Sequence, residues 1–379
     1  MPRLRSSTGI VLATLLASAL GTAGSAAAQS VHPVSPRFDG SDAPSTYPFP
    51  GFDGAFRQQI VISSARLVAV RGKQLTGLAV RRDLFRNKAL SGGVVDMEVR
   101  LAIAPNSPAR AKEVFAQNAP NPRLVFRGSV TVPNAPAFTT PPANPWSAEH
   151  AVSIHFDTPF SYATGDLCVD ITGRPVPGKE PDFWYVDCEW EAHSGNSRAL
   201  GTSCSPVADN RGATLYTEDH RLQIGSTLRV IALGRTGATP ILLPSATVDP
   251  VGVELSAMGA PGCRLHVGAN TLIPLAYGKA PFAGQPSSLF FEFQLPSDST
   301  LLGKHFFMQA ADDERGLGSS QRSNPAALTT SNALDLVLSM NGPGLGLSIV
   351  TSERVAASES FPDRGRVDVS MAPVLRLTY

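Results

Sequence analysis

The segment VVDMEVRLAIA, residues 94–104, constrains the fold of this chain more than any other. Met97, Val99, Leu101 and Ile103 alternate with Asp96, Glu98 and Arg100, the period of a strand with one face on a core and the other toward water. The alternation recurs at Val152, Ile154 and Phe156 and again at Leu167, Val169 and Ile171, and further strand-like runs occupy 60–70, 77–82 and 125–132. Beyond residue 204, short runs at 228–233, 251–255, 264–267, 289–295, 305–310 and 334–338 are separated by clusters of Gly, Pro, Asn or Ser. Short strands joined by turns, without intervening helices, stack as antiparallel sheets. The 33 glycines and 32 prolines suit that many turns. With no internal repeat of fixed period, solenoids and propellers are disfavoured. The expected fold is therefore all-β, two antiparallel β-sandwich domains of jelly-roll-like type. One segment reads as helical: SPARAKEVFAQN, residues 107–118, offers Ser107 as N-cap and Pro108 at the first helical position.

The start of the chain predicts where it works. MPRLRSSTG carries two arginines and no acid, residues 10–24 are apolar and small, and SAAAQS follows. This is the pattern of a secretory signal peptide cleaved after Ala28. Residues 10–24 are too few to cross a hydrocarbon core of roughly 30 Å as a helix, and no other stretch is long and apolar enough to do so, so no membrane insertion is expected after cleavage. Residues 29–58, rich in Pro, Gly, Asp and Ser, show no period and read as an arm. With 32 Lys+Arg against 31 Asp+Glu, the formal charge of +1 makes no electrostatic case for nucleic acid.

Export means an oxidising compartment, where the four cysteines Cys168, Cys188, Cys204 and Cys263 are expected to form two disulfides. Four cysteines allow three pairings, and their positions do not choose among them. A zinc site is disfavoured, because no C-x-x-C pair occurs.

A resemblance adds to this reading. Gly225-Ser226-Thr227-Leu228, GAPGCRL (259–265), the run from Leu295-Pro296-Ser297-Asp298 through Leu302-Gly303 to Gln309-Ala310, and the block from Ser323 to Leu338 stand in the order found in a module of uncharacterised secreted two-domain β-sandwich proteins of Gram-negative bacteria. Upstream, RQQI (57–60), GLAVRRD (77–83), VFRG (125–128) and the run from Asp157 to Ile171 resemble the companion domain that precedes that module. The tail, residues 352–379, resembles that domain's final strand. The resemblance implies secretion and a domain layout: 59–204 as a first sandwich completed by 345–379, with 205–344 as a second, inserted sandwich. It also implies a Cys204–Cys263 disulfide, which leaves Cys168 and Cys188 for each other. It carries no activity with it.

No nucleophile elbow, H-E-x-x-H, P-loop or dinucleotide-binding glycine motif occurs. The best chemical constellation is FWYVDCEWEAH, residues 183–193. As a strand it projects Asp187, Glu189 and Glu191 from one face at intervals of about 6.7 Å, with Trp184 and Trp190 nearby. The first expectation is a solvated face with aromatics packed beneath it. The functional alternatives are a sugar platform, a calcium site, or a hydrolytic pair, which needs carboxyls about 5 to 9.5 Å apart. Asp312-Asp313-Glu314 is a second acidic cluster, without the spacing of an EF-hand loop. Trp146, in a Pro-rich loop, is an aromatic that could meet a ligand or cap a sheet edge. No cofactor is expected; calcium is the metal these acidic clusters would suit. The favoured class is a non-catalytic extracellular protein, structural or adhesive, at a cell surface or in a matrix; carbohydrate binding comes next by analogy of fold, and a secreted glycoside or ester hydrolase last.

Overall fold

A computed structural model of the chain describes residues 29–52, 54–84, 89–137, 140, 142–182, 184–191, 195–204, 214–217, 222–234, 237–268, 275–276 and 288–379. The expected signal peptide, 1–28, lies outside the described residues. The fold is all-β. Its largest sheet has six antiparallel strands in the spatial order Arg366–Asp368, Leu347–Thr351, Phe56–Ile62, Asp166–Pro175, Gly93–Ala104 and Arg123–Val132. Facing it are a four-stranded sheet (Val31–Pro33, Leu375–Thr378, Lys73–Arg81, Ala151–Tyr162) and a three-stranded one (Ser45–Pro48, Tyr185–Trp190, Met371–Pro373). A bridge between Arg82 and Val186 joins these two.

The alternating residues decide which face is which. Val95, Met97, Val99 and Leu101 point into the sandwich with Leu167, Val169, Ile171, Val152, Ile154 and Phe156. Ile103, at the end of its strand, escapes that core and is 43% exposed. The run 60–70, which reads as one strand, is strand only to Ile62. Ser63 then caps a 3₁₀ segment, Ser64–Val70, by accepting from the Ala65 amide at 3.3 Å, the local side-chain bond that ends regular structure.

The outer face of the six-stranded sheet carries a smaller core of Val61, Ala102, Phe115, Cys168, Val350 and Val367. Here the expected helix 107–118 is replaced by a 3₁₀ turn at Pro108–Arg110 and a single α-turn at Phe115–Asn118, and Ser107 makes no side-chain cap bond. Asn118 accepts from the Lys112 amide and donates to its carbonyl, while Phe115 N and Glu113 O bond to Asp363 O and Gly365 N. Tertiary pairing takes the backbone groups a helix would have used, and helix propensity yields.

The first and last described segments, from Val31 and up to Thr378, are both woven into this sandwich. Leu347–Thr351 pairs with Phe56–Ile62, Met371–Pro373 with Tyr185–Trp190, and Leu375–Thr378 lies between Val31–Pro33 and Lys73–Arg81. Residues 29–58, read from sequence as a loose arm, therefore supply strands and buried side chains, Val34, Tyr47, Phe49 and Phe52 among them. Strands of three and four residues are too short to display a period. Pro33 and Pro48 sit in edge strands, where a missing N–H costs no ladder bond.

A second pair of sheets follows. Five strands (Asn196–Leu200, Leu328–Val337, His305–Asp313, Thr239–Ser245, Leu275–Ala276) face three (Thr214–Thr217, Thr227–Leu233, Ser288–Gln294). Leu228, Val230 and Phe291 on one side meet Leu242, Met308, Ala310, Leu334 and Leu336 on the other. Asn196–Leu200 already pairs with Leu328–Val337, so these sheets begin before residue 205. A separate hairpin, Val248–Glu254 with Arg264–Val267, carries the GAPGC turn. Gly259 and Gly262 hold φ of 83° and 78°, values that favour glycine. Cys263 behind them is bonded to Cys204, with Cα atoms 4.8 Å apart.

The second expected disulfide is absent: Cys168 and Cys188 are both free and buried. Cys168 points away from the sandwich into the outer cluster with Phe115, whereas Cys188 lies in the opposite sheet and points into the main core. Bridged cysteines must face each other across a few ångströms. Burial pushes both thiols well above their ordinary range, with nearby Asp170 and Asp187 adding to the effect.

Candidate functional site

Tyr185–Trp190 is the central strand of the three-stranded sheet. Val186 and Cys188 face the core, so Asp187 and Glu189 fall on the opposite side, as the alternation predicts. That side is not solvated. Asp187 is wholly buried and Glu189 only 3% exposed, because residues 34–43 cross over them.

Asp187 accepts from Arg81 Nε at 3.0 Å and Nη2 at 2.6 Å, and from the Ala43 amide at 3.1 Å. The Arg81 side chain is equally inaccessible. Its remaining donors are taken by backbone carbonyls: Nη1 by Asp39 at 3.0 Å, Nη2 by Phe38 at 2.6 Å and by Ser41. Burial pushes the Asp187 carboxyl up to about 7, against the downward pull of Arg81. Asp42, which accepts from the Leu84 amide, is likewise raised by burial and by Asp83.

Trp146 joins the same knot. Its indole N–H donates to Asp39 O at 2.7 Å, and its ring lies under the Arg81 and Arg376 guanidinium groups at 5.3 and 4.2 Å. Arg376, on the C-terminal strand, grips Asp39 with two bonds of 2.8 and 2.9 Å. Trp146 is half-buried and packs a junction of three chain segments.

Glu189 pairs with Arg66 at 2.7 Å, and burial raises its carboxyl while Arg66 opposes that rise. Arg66 also donates to the carbonyls of Val34 and Leu345, both at 2.9 Å. Glu191, just past the strand, accepts from the Gly344 amide at 2.9 Å and the Leu345 amide at 3.2 Å. Trp184 is fully buried with its ring edge-on to Phe49 at 5.5 Å. Trp190 is 37% exposed.

The five nominated residues therefore do not converge on an open surface. Asp187 ties the strand to the N-terminal segment, and Glu191 ties it to the turn at 344–345. Glu189 reaches both through Arg66. The expectation of a solvated face is corrected, and its physical reason is coverage by residues that carry no period of their own. Sequence reasoning also missed Arg81, Arg66, Arg376 and Asp39. Arg81 follows Leu78 and Val80 on the polar side of its strand, so it reads as an ordinary exposed arginine.

The second acidic cluster separates as well. Asp313 pairs with Arg315 at 2.6 Å, while Glu314 is buried and accepts from the Ser323 hydroxyl at 2.6 Å and the Ser323 amide at 2.5 Å. Among the described residues, no group of three or more His, Cys, Asp or Glu is arranged to hold a metal ion.

No known family profile matches the chain, and no curated protein matches it. Among solved structures, it is similar to a DUF4785 family protein from Legionella pneumophila, with 8% identity over 91% of this chain and 85% of that one and a TM-score of 0.20. A likeness of that size carries no argument about fold or activity. Among the described residues, no helix is long and apolar enough to cross a membrane.

Proposed function

We propose that this is a secreted, non-catalytic β-sandwich protein with a structural or adhesive role at a cell surface or in an extracellular matrix. The observation that carries the reading is the fate of the acidic strand. Asp187, Glu189 and Glu191, the residues best spaced for hydrolysis, are engaged by arginines and backbone amides that hold the chain together. A general acid or nucleophile needs access to substrate, and the lid of residues 34–43 denies it to Asp187 and Glu189. Export is supported by the leader-like start of the chain and by the Cys204–Cys263 disulfide, a bond that persists in oxidising compartments.

The test is co-sedimentation of the purified protein with insoluble cell-envelope and matrix fractions, run beside a panel of chromogenic glycosides and esters. Retention in the pellet with no turnover is the expected result. Turnover abolished by Asp187→Asn in a variant that remains folded would overturn the reading.

A further inference from the structure

Among the described residues, an open surface with organised polar chemistry lies on the outer face of the six-stranded sheet, away from the buried knot. Gly93–Ala104 runs between Arg123–Val132 and Asp166–Pro175, and its polar residues stand in register with theirs. Asp96 is opposite both Ser129 and Arg174, and Glu98 is opposite both Arg127 and Thr172. Neighbouring strands are about 4.8 Å apart, so each row sets three polar side chains across roughly 10 Å.

These groups are fixed in place by one another. Asp96 accepts from the Ser129 hydroxyl at 2.6 Å, and Glu98 bridges Arg127 at 2.7 Å and Arg100 at 2.6 Å. Arg174 anchors a strap that forms the wall of the cleft: it donates to the carbonyls of Ala357 and Glu359, at 2.5 and 2.7 Å, and lies over the Phe361 ring at 4.0 Å. The resulting cleft is open and encloses about 470 Å³, within the roughly 300 to 1,000 Å³ usual for ligand sites.

Its lining contains two carboxylates and two guanidinium groups, which cancel. A polyanion requires a surplus of positive charge, and a polycation the reverse. Alternating donors and acceptors beside an aromatic wall suit a ligand with many hydroxyls and no charge. We propose that this cleft binds a neutral oligosaccharide chain laid across the two rows. The proposal deepens the adhesive reading by naming a surface and a ligand class, and it rests on that reading.

The experiment is calorimetric titration of the whole protein with cellohexaose, mannohexaose and chitohexaose, with heparin and polylysine as charged comparators. At least one neutral hexasaccharide is expected to bind. Phe361→Ala and Asp96→Ala should each weaken that binding about tenfold, the size of a lost ligand contact, in proteins whose circular dichroism shows the native fold. Thr172→Val, which keeps side-chain shape, provides the same test should Phe361→Ala fail to fold. Absence of binding to all three hexasaccharides, binding confined to heparin or polylysine, or affinity untouched by these variants would refute the inference. Envelope co-sedimentation that persists without hexasaccharide binding refutes the cleft and leaves the adhesive reading standing. Release of reducing ends from a bound hexasaccharide supports the ligand class and refutes the non-catalytic reading.

Discussion

Arg81 and Asp187 face each other with neither side chain reached by solvent. Removing one partner of such a pair strands the other in the interior, unpaired or driven to change its protonation, at a cost of about 3–5 kcal/mol, whereas replacing both with apolar residues costs less. Arg81→Met is therefore expected to lower the free energy of unfolding by about 3–5 kcal/mol, and Arg81→Met combined with Asp187→Leu by less than the single change. Urea denaturation of the native protein, Arg81→Met, Asp187→Leu and the double variant checks the order; additive losses would show that the two residues do not act as a pair. The same carboxyl sets a pH dependence. Its folded value, about 7, lies above the ordinary 3.8, so folding takes up a proton between those values. The stability it contributes is complete below about pH 4 and is lost as pH rises through 7. Denaturation midpoints measured from pH 4 to 8 should fall more steeply for the native protein than for Asp187→Asn, which has no proton to lose; parallel curves would contradict the assignment. The acidic strand was legible in sequence to the extent of its parity: Asp187 and Glu189 do share a face. Their partners were not, because an arginine on the polar side of a strand looks the same whether water or a crossing segment lies above it.

At the scale of elements, the hairpin Val248–Glu254 and Arg264–Val267 pairs with itself rather than joining the larger sheets. Leu255, Ala260 and Cys263 form a small cluster at its turn, against Cys204 and Leu328. The Cys204–Cys263 bond spans 59 residues, and closing a loop of that length restricts the unfolded chain by roughly 4 kcal/mol. Cys263→Ser should lower the melting temperature and expose the hairpin to limited proteolysis before the rest of the chain. The other two cysteines should behave differently. Non-reducing peptide mapping is expected to find Cys204 joined to Cys263, with Cys168 and Cys188 alkylated only after denaturation, since a buried thiol with a raised pKa has no accessible thiolate. Recovery of a Cys168–Cys188 peptide would contradict the placement of the two strands in opposing sheets. A count of cysteines and an oxidising compartment suggested that second bond, and the direction in which each strand turns its side chains removes it.

At the scale of the whole molecule, the tail returns to the first group of sheets and also touches the second. Leu375–Thr378 lies between strands from residues 31–33 and 73–81. The Val367 and Val369 amides donate to Thr227 and Ser226 at 2.9 and 3.3 Å, and Glu292 takes both Arg229 and Arg366. Deleting residues 352–379 is therefore expected to unfold the sandwich built on residues 56–175, while a fragment spanning 196–344 still folds. Circular dichroism melts of the two truncated chains test this, and loss of structure in the 196–344 fragment alone would reverse the assignment. What the sequence determined by itself was the strand character of the long alternating runs and the face each turns inward, because burial of one side of a strand writes a period of two into the residues. Only the tertiary structure decided that a proline-rich segment without period supplies two edge strands and a lid. It alone decided that Asp187 and Glu189 lie beneath that lid, that the helix-like residues 107–118 are held open by Asn118 and the 363–365 backbone, and that Cys168 and Cys188 never meet. Each of these depends on which distant segment lies above a given side chain, and local periodicity carries no record of that.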